Sequence, residues 1–132
     1  MSGAREVKDD RKYTRDHEWA VTRDAAVIVG ITAFAVDQLG DITLVNLDVE
    51  VGAQVEAGKA FGTIESVKTL SDLFAPVSGR VTRINSSLAD HPELVNEDPW
   101  EAAWMIAIAP SGAEAGALLD PAAYRQYLDE QG

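Results

Sequence analysis

Residues 63–73 read TIESVKTLSDL, and this stretch decides the fold. The residue pattern predicts one strand before Lys68, over Ala60–Ser66, and a second after it, over Leu73–Ala75. Lys68 stands where the first strand must reverse into the second. The sequence therefore predicts a β–turn–β unit with a lysine at its tip.

Short strands separated by Gly, Pro and Asp extend on both sides of this unit. The apolar runs predict further strands over Ile42–Leu47, Gly79–Ile84 and Trp104–Ala109. Nearer the N-terminus, residues 21–23 and 27–29 flank a turn and are typical of a hairpin. This part of the chain is expected to form a turn-rich β architecture.

Two helices accompany the strands. Residues 32–39 carry apolar side chains at helical spacing, with Thr32 placed to cap the helix and Gly40 to end it. Asp120 followed by Pro121 marks the start of a C-terminal helix. The predicted fold class is mainly β, with a short internal helix and a C-terminal helix.

The chain has 132 residues and a mass of 14.2 kDa, which fits a single domain with a modest core. Its composition, 46% hydrophobic and 25% charged, is that of a globular protein. Residues 1–12 are polar and of mixed charge. We expect a flexible N-terminal tail over residues 1–12 and one domain over residues 13–132.

The chain is strongly acidic, with 22 Asp and Glu residues against 11 Lys and Arg residues and a formal net charge of −11. Nucleic acids and anionic membranes bind clustered cations, so this balance disfavours both as partners. The sequence shows neither a signal peptide nor a run long enough to cross a membrane. We expect a cytoplasmic monomer that is steered toward basic protein surfaces.

The chain contains no cysteine, which excludes a disulfide, a thiolate zinc site and a cysteine nucleophile. Its histidines, His17 and His91, form no ligand cluster in the sequence, so no metal site is predicted and His17 is expected to be packed. Any redox chemistry of this protein must come from an attached group.

Lys68 is the candidate attachment point. A lysine at a turn is most often only a solvated cation. The chain has few lysines, however: Lys8 and Lys12 lie in the polar tail and Lys59 lies in another loop. Lys68 alone lies among small and acidic neighbours at the centre of a β–turn–β unit. Such a presentation suits an amine that is acylated by an enzyme that recognises the shape of a hairpin.

Residues 64–79 resemble the lipoyl-lysine signature of the glycine cleavage system H protein family. Other segments similar to that family follow in the same order along the chain: HEW at 17–19, VGIT at 29–32, LGDI at 39–42, PELVN at 92–96, PW at 99–100 and AWMI at 103–106. The resemblance runs from about Tyr13 to Leu128.

This resemblance implies a lipoyl-type barrel-sandwich hybrid, in which two small sheets carry the lysine at a hairpin turn. It implies lipoic acid in amide linkage to Lys68, one per chain. The modifying enzyme would be a lipoate ligase, or an octanoyltransferase acting with lipoyl synthase. The residues through which it would recognise the attachment motif are Glu65, Ser66, Val67 and Thr69.

The implied role is that of a non-catalytic carrier. A pyridoxal-phosphate glycine decarboxylase would load the lipoyl arm with the aminomethyl group of glycine. An aminomethyltransferase would pass the one-carbon unit to tetrahydrofolate, and dihydrolipoamide dehydrogenase would reoxidise the arm. Carboxylates in a cleft would pair with the basic amine of the loaded arm and keep water away from it. Glu18 and Asp72 are the candidates for that cleft.

Three other functions are alternatives to a carrier in glycine cleavage. Biotinyl domains share the hairpin but flank their lysine with methionines, whereas Val67 and Thr69 stand here. A protein of the same family can instead relay octanoyl or lipoyl groups to 2-oxoacid dehydrogenases, and the sequence does not separate these two lipoyl roles. An enzyme is disfavoured because no nucleophile elbow, phosphate-binding glycine loop or metal-ligand spacing is present.

Overall fold

A computed structural model describes residues 6–111 and 118–130. These residues form β strands with short helices between them. The strands are β1 Lys12–Tyr13, β2 Glu18–Arg23, β3 Ala26–Ile31, β4 Ile42–Leu47, β5 Gln54–Val55, β6 Ala60–Ser66, β7 Leu70–Phe74, β8 Gly79–Ile84 and β9 Ile106–Pro110. The helices are α1 Ala33–Leu39, α2 Ser87–Asp90, α3 Leu94–Glu97 and α4 Pro121–Glu130.

The strands of the described residues form two antiparallel sheets. The large sheet has the order β1-β2-β3-β9-β8-β5, and the small sheet has the order β4-β6-β7. Side chains of both sheets meet in one buried apolar cluster, which includes Val29 and Ile106 from the large sheet and Val45, Ile64 and Leu73 from the small sheet. The predicted mainly β fold of two sheets with a C-terminal helix is confirmed.

A second apolar cluster covers the other face of the large sheet. Trp19, Ile28 and Ala107 lie on that face, and Tyr124 of α4 packs against it. Because both faces of β3 are covered, its sequence AVIVGI is apolar throughout and does not alternate with polar residues. The C-terminal helix therefore closes the core of the large sheet.

Local sequence signals predicted the central elements well. Strands β4, β6 and β8 have the predicted bounds. The side chain of Thr32 caps α1 by accepting the N–H of Ala35 at 3.2 Å, and the helix ends at Gly40, which has a φ of 83°. The short elements β5, α2 and α3 were not predicted, because four residues or fewer carry little periodic signal.

The bounds of four predicted strands were wrong. The two strands of the N-terminal hairpin are longer than the predicted residues 21–23 and 27–29, and the strand after Lys68 and the last strand are shifted. Strand β7 begins at Leu70 and not at Leu73, because the turn is tight and Glu65 already pairs with Leu70. The last strand begins at Ile106 and not at Trp104. Residues 104–105 lead into it, with the Met105 N–H donating to the Val29 carbonyl at 2.7 Å.

The segment predicted as a tail packs against the domain before Tyr13. The Arg11 side chain is buried, donates from Nη1 to the Trp100 carbonyl at 3.0 Å and lies over the Trp19 ring at 4.6 Å. Its Nη2 forms an ion pair with Glu101 at 3.1 Å. Contact with the domain therefore starts earlier than the predicted boundary, and residues 1–5 of the predicted tail lie outside the described residues.

Across the described ranges, no helix is long and apolar enough to cross a membrane. Within the same ranges, no group of three or more His, Cys, Asp or Glu side chains could hold a metal ion.

Candidate functional site

Lys68 lies at the turn between β6 and β7, and Ser66 shapes that turn. The Ser66 N–H donates to the Thr69 carbonyl at 2.8 Å, which closes the hairpin. The Ser66 hydroxyl oxygen accepts the backbone N–H groups of Lys68 and Thr69, both at 3.2 Å. A serine that accepts local N–H groups in this way stabilises a turn. These hydrogen bonds of Ser66 therefore hold the backbone of Lys68 in a fixed conformation.

Strand β4 supports the turn from one side. The Val67 N–H donates to the Asp41 carbonyl at 3.0 Å, and the Thr43 hydroxyl donates to the Glu65 carbonyl at 3.3 Å. The first bond joins the residue before Lys68 to the residue that precedes β4, and the second joins β4 to β6. The Lys68 turn is thus held by a neighbouring strand as well as by its own hydrogen bonds.

Gly40 lies beneath the Lys68 side chain. A Cβ atom at Gly40 would lie 3.4 Å from Cε and 3.7 Å from Cδ of Lys68. The φ of 83° at Gly40 is also one that side chains rarely adopt. Glycine at this position is required by the backbone that ends α1, and it lies within van der Waals distance of the lysine stem.

The side-chain amide of Asn96 fixes this glycine. Its Nδ2 donates to the Gly40 carbonyl at 2.9 Å, and its Oδ1 accepts the Ile42 N–H at 2.9 Å. Asn96 belongs to the four-residue helix α3, far from the turn in sequence. It therefore clamps the segment against which Lys68 and Val67 rest.

The Lys68 amine is accessible for acylation. The residue is exposed, and it forms no ion pair with any described residue. Glu65, Val67 and Thr69 are exposed around it, and Ser66 is half-buried. An exposed primary amine on a rigid hairpin tip fits an amide-linked prosthetic group, because an enzyme can approach it without unfolding the strands.

Glu18 is placed in the interior at the start of β2. It is 2% exposed, its Oε1 accepts from the Thr14 hydroxyl at 3.0 Å, and its Oε2 accepts the Phe74 N–H at 2.9 Å. Burial raises the pKa of Glu18 to about 8, against the two hydrogen bonds, which favour the ionised form. Proximity of Asp16 raises the pKa further.

Asp72 is exposed on β7, where it pairs with Thr63 of β6. The structure thus brings Glu18 to the strand that carries Asp72, at Phe74 two residues further on. Asp72 and Phe74, the partner of Glu18, both lie on the part of β7 that leads away from Lys68. At about 3.3 Å per residue, Phe74 is roughly 13 Å from the start of β7 beside the turn.

His17 precedes Glu18 and is tied to the C-terminal helix. Its Nδ1 lies 2.8 Å from the Tyr124 hydroxyl, which is also 2.9 Å from the Thr32 hydroxyl. Burial lowers the pKa of His17, which disfavours a charged imidazole. These contacts give His17 a structural place between β2, α1 and α4.

Comparison with known proteins matches this geometry to one family. The family model described as "Glycine cleavage H-protein" matches residues 11–131. The chain belongs to the glycine cleavage H-protein family.

Related sequences and a solved structure of the family agree with this assignment. The chain is 50% identical over 127 residues to the glycine cleavage system H protein of Anaeromyxobacter sp. (strain K), covering 96% of this chain and 98% of that one. It is 49% identical over 126 residues to the protein of that name from Rubrobacter xylanophilus, with the same coverage. The crystal structure of a glycine cleavage system H protein from Mycobacterium marinum superposes with a TM-score of 0.83 at 40% identity, covering 96% of this chain and 99% of that one.

In this member of the glycine cleavage H-protein family, three supporting residues were missed by reasoning from the residues alone. Gly40 was assigned only to the end of a helix, although it also carries the Lys68 stem. Asn96 and Thr14 were given no role, yet they hold Gly40 and Glu18. Their polar side chains gave no local signal of the distant partners, so only the fold could reveal them.

Proposed function

We propose that this protein is a lipoyl carrier of glycine cleavage, with lipoic acid in amide linkage to Lys68. The observation that carries the proposal is the exposed Lys68 amine on a hairpin turn fixed by Ser66, Asp41 and Gly40. Membership of the glycine cleavage H-protein family supports the same role. The protein contributes no catalytic residue in this proposal and presents the group to partner enzymes.

Attachment is an acyl transfer to the Lys68 Nζ. The neutral amine attacks the acyl carbon of an activated donor, such as an acyl adenylate or an acyl thioester. A carbon–nitrogen bond forms, the bond from the acyl carbon to the adenylate or thiolate breaks, and the amine proton is released to solvent. The exposed position of Lys68 leaves room for the donor, and the fixed turn holds the backbone that carries the attacking amine.

When bound, lipoic acid would supply a disulfide able to carry the aminomethyl group from glycine decarboxylase to an aminomethyltransferase, and dihydrolipoamide dehydrogenase would reoxidise the resulting dithiol. Glu18 and Asp72 are the proposed partners of the basic amine. Because the pKa of Glu18 is about 8, this carboxyl must release a proton when a cationic amine docks beside it. Asp72 is exposed, so an amine can reach its carboxyl group from solvent.

Intact-mass analysis tests the attachment. The wild type and the Lys68→Arg and Lys59→Arg variants are expressed in cells able to lipoylate proteins. We expect one lipoyl-sized increment on the wild type and on Lys59→Arg, which alters another loop lysine, and no increment on Lys68→Arg. A biotin-sized increment, or no modification of the wild type, would overturn the proposal.

Two assays test the role of the loaded arm. The lipoylated protein is expected to support glycine–bicarbonate exchange by purified glycine decarboxylase, and Lys68→Arg is not. Glu18→Ala and Asp72→Asn are expected to accept lipoic acid normally but to lose the aminomethyl cargo faster. An unchanged lifetime of the loaded form in either variant removes that residue from the proposed cleft.

A further inference from the structure

Three exposed aliphatic side chains lie near Lys68, two of them on the outer face of the small sheet and one in the turn itself. Leu44 is 41% exposed, Leu70 is 61% exposed and Val67 is 68% exposed. In the antiparallel register, Leu44 is opposite Glu65 and Glu65 is opposite Leu70. Side chains that are directly opposite in adjacent strands lie on the same face of a sheet. Leu44, Glu65 and Leu70 therefore form one row across all three strands.

The neighbouring positions confirm which face this is. Val45 and Ile64, which pair with each other one residue along the strands, are buried in the core. Leu44, Glu65 and Leu70 must then point away from the core, because side chains alternate along a strand. Folding buries none of these leucines fully, so the stability of the domain gives no reason for two exposed leucines in the same row.

The charges of this face are of one sign. Strands β4, β6 and β7 contain Glu65 and Asp72 and no lysine or arginine. The two leucines thus lie near carboxylates, and Lys68 lies in the adjacent turn between β6 and β7. An apolar strip beside acidic side chains is complementary to a protein surface that offers apolar side chains with a rim of Lys and Arg.

We propose that this outer row, formed by Leu44, Glu65 and Leu70 and extended by Val67 at the turn, is the docking surface for the enzyme that acylates Lys68. The inference rests on the proposed function and deepens it. Recognition then extends beyond the residues that flank the lysine to Leu44. This leucine lies on β4, outside the Lys68 hairpin, and is distant from Lys68 in sequence. The partner surface is apolar at its centre and basic at its edge.

The acylating enzyme differs from the other partners in how close to Lys68 it must bind. An enzyme that forms the amide must bring an acyl carbon into contact with Lys68 Nζ, so its surface must cover the end of the small sheet. Enzymes that act at the far end of an attached arm can bind without covering that end. The leucine row therefore controls attachment more strongly than later steps.

Threonine substitutions at the two leucines test this inference. Leu44→Thr and Leu70→Thr remove apolar surface at exposed strand positions, where threonine is well tolerated. Val51→Thr is the matched control, because Val51 is 64% exposed but lies beyond the end of β4 that is remote from the turn. Acylation of the full-length apo protein by a purified lipoate–protein ligase is followed by mass spectrometry, with thermal unfolding of each variant.

We expect kcat/KM for acylation to fall by about tenfold in Leu44→Thr and in Leu70→Thr and to be unchanged in Val51→Thr. Once fully loaded, the two leucine variants should support glycine–bicarbonate exchange at the wild-type rate. Normal acylation of Leu44→Thr would overturn the proposal, and so would an equal loss of exchange by the loaded variants, which would assign the face to the decarboxylase. Failure of the wild type to be acylated at all would instead refute the proposed function.

Discussion

The carboxylate of Glu18 accepts the backbone N–H of Phe74 at 2.9 Å, so a buried acid at the start of β2 satisfies a backbone donor at the end of β7. This single bond links the large sheet to the small sheet that carries Lys68. The Thr14 hydroxyl holds the second carboxylate oxygen, and the same hydroxyl accepts the Glu18 N–H at 3.2 Å. Glu18 is therefore positioned by the side chain of Thr14 in the preceding loop and by the backbone of a distant strand.

The buried Glu18 carboxyl should make stability depend on pH. Its pKa is about 8 in the folded protein against an ordinary value of 4.5, so the folded state holds a proton that the unfolded state releases. The free energy of unfolding should fall as the pH rises from 4.5 toward 8, by at most about 1.4 kcal/mol per pH unit. Glu18→Gln keeps an acceptor for Phe74 and should flatten that slope. Urea unfolding at several pH values measures it, and an equal slope in both proteins contradicts the raised pKa.

The Tyr124 hydroxyl should contribute to stability because it hydrogen-bonds to the buried Thr32 and to the half-buried His17. Tyr124→Phe leaves both without this partner and should lower the free energy of unfolding by about 1–3 kcal/mol. Tyr127→Phe is the matched control on the same helix, since its hydroxyl bonds at 3.2 Å to the carbonyl of Arg15 at an exposed site. Chemical denaturation compares the two variants. Equal losses would show that the shared hydroxyl is no more important than an exposed one.

Local sequence signals were sufficient to predict the Lys68 hairpin. They were not sufficient to predict the distant contacts that hold it. The run of residues from Ala60 to Ser66 fixed β6, and the scarcity of lysine singled out Lys68. The contacts that complete the site join distant segments: Glu18 and Phe74 are 56 residues apart, and so are Gly40 and Asn96. Pairs at such separations leave no periodicity in the sequence, and their partners are set only when the sheets pack.

The predicted start of β7 was wrong because the local sequence there gives little indication of a strand. Residues 70–72 read LSD, and an exposed leucine next to two polar residues gives a weak strand signal. In the fold, these three residues pair in order with Glu65, Ile64 and Thr63, because the turn closed by Ser66 brings β7 alongside β6. Turn geometry and pairing with β6 outweighed the local composition.

The Asn96 amide should hold the platform beneath the turn. Asn96→Ala removes one acceptor from the Ile42 N–H and one donor to the Gly40 carbonyl. Amide hydrogen exchange at Ile42 should become about tenfold faster, with a loss of about 1 kcal/mol in unfolding free energy. Asn46→Ala is the control, because that exposed amide bonds only locally in the described structure, to Asp48 at 2.8 Å. Unchanged exchange at Ile42 in Asn96→Ala would refute the clamp.

Gly40 and Gly52 allow backbone strain to be separated from contact with Lys68. Both have positive φ, 83° and 96°, but a Cβ atom at Gly52 meets nothing within 4 Å, whereas one at Gly40 meets the Lys68 stem. Both alanine variants should lose about 1–3 kcal/mol of stability from strain. Acylation of Lys68 should slow by about threefold in Gly40→Ala only, because the added methyl group lies in van der Waals contact with the lysine stem and restricts the positions open to the amine.

Thermal unfolding measures the first effect, and kcat/KM for acylation, at a temperature where both variants are folded, measures the second. A slower reaction in both variants would mean that lost stability, and not the position of the lysine stem, limits acylation. Normal acylation in Gly40→Ala would mean that Lys68 reaches its acyl donor without resting on this glycine. A slower reaction in Gly40→Ala alone would show that the side chain at position 40 affects how the lysine stem is placed for attachment, apart from the left-handed backbone that ends α1.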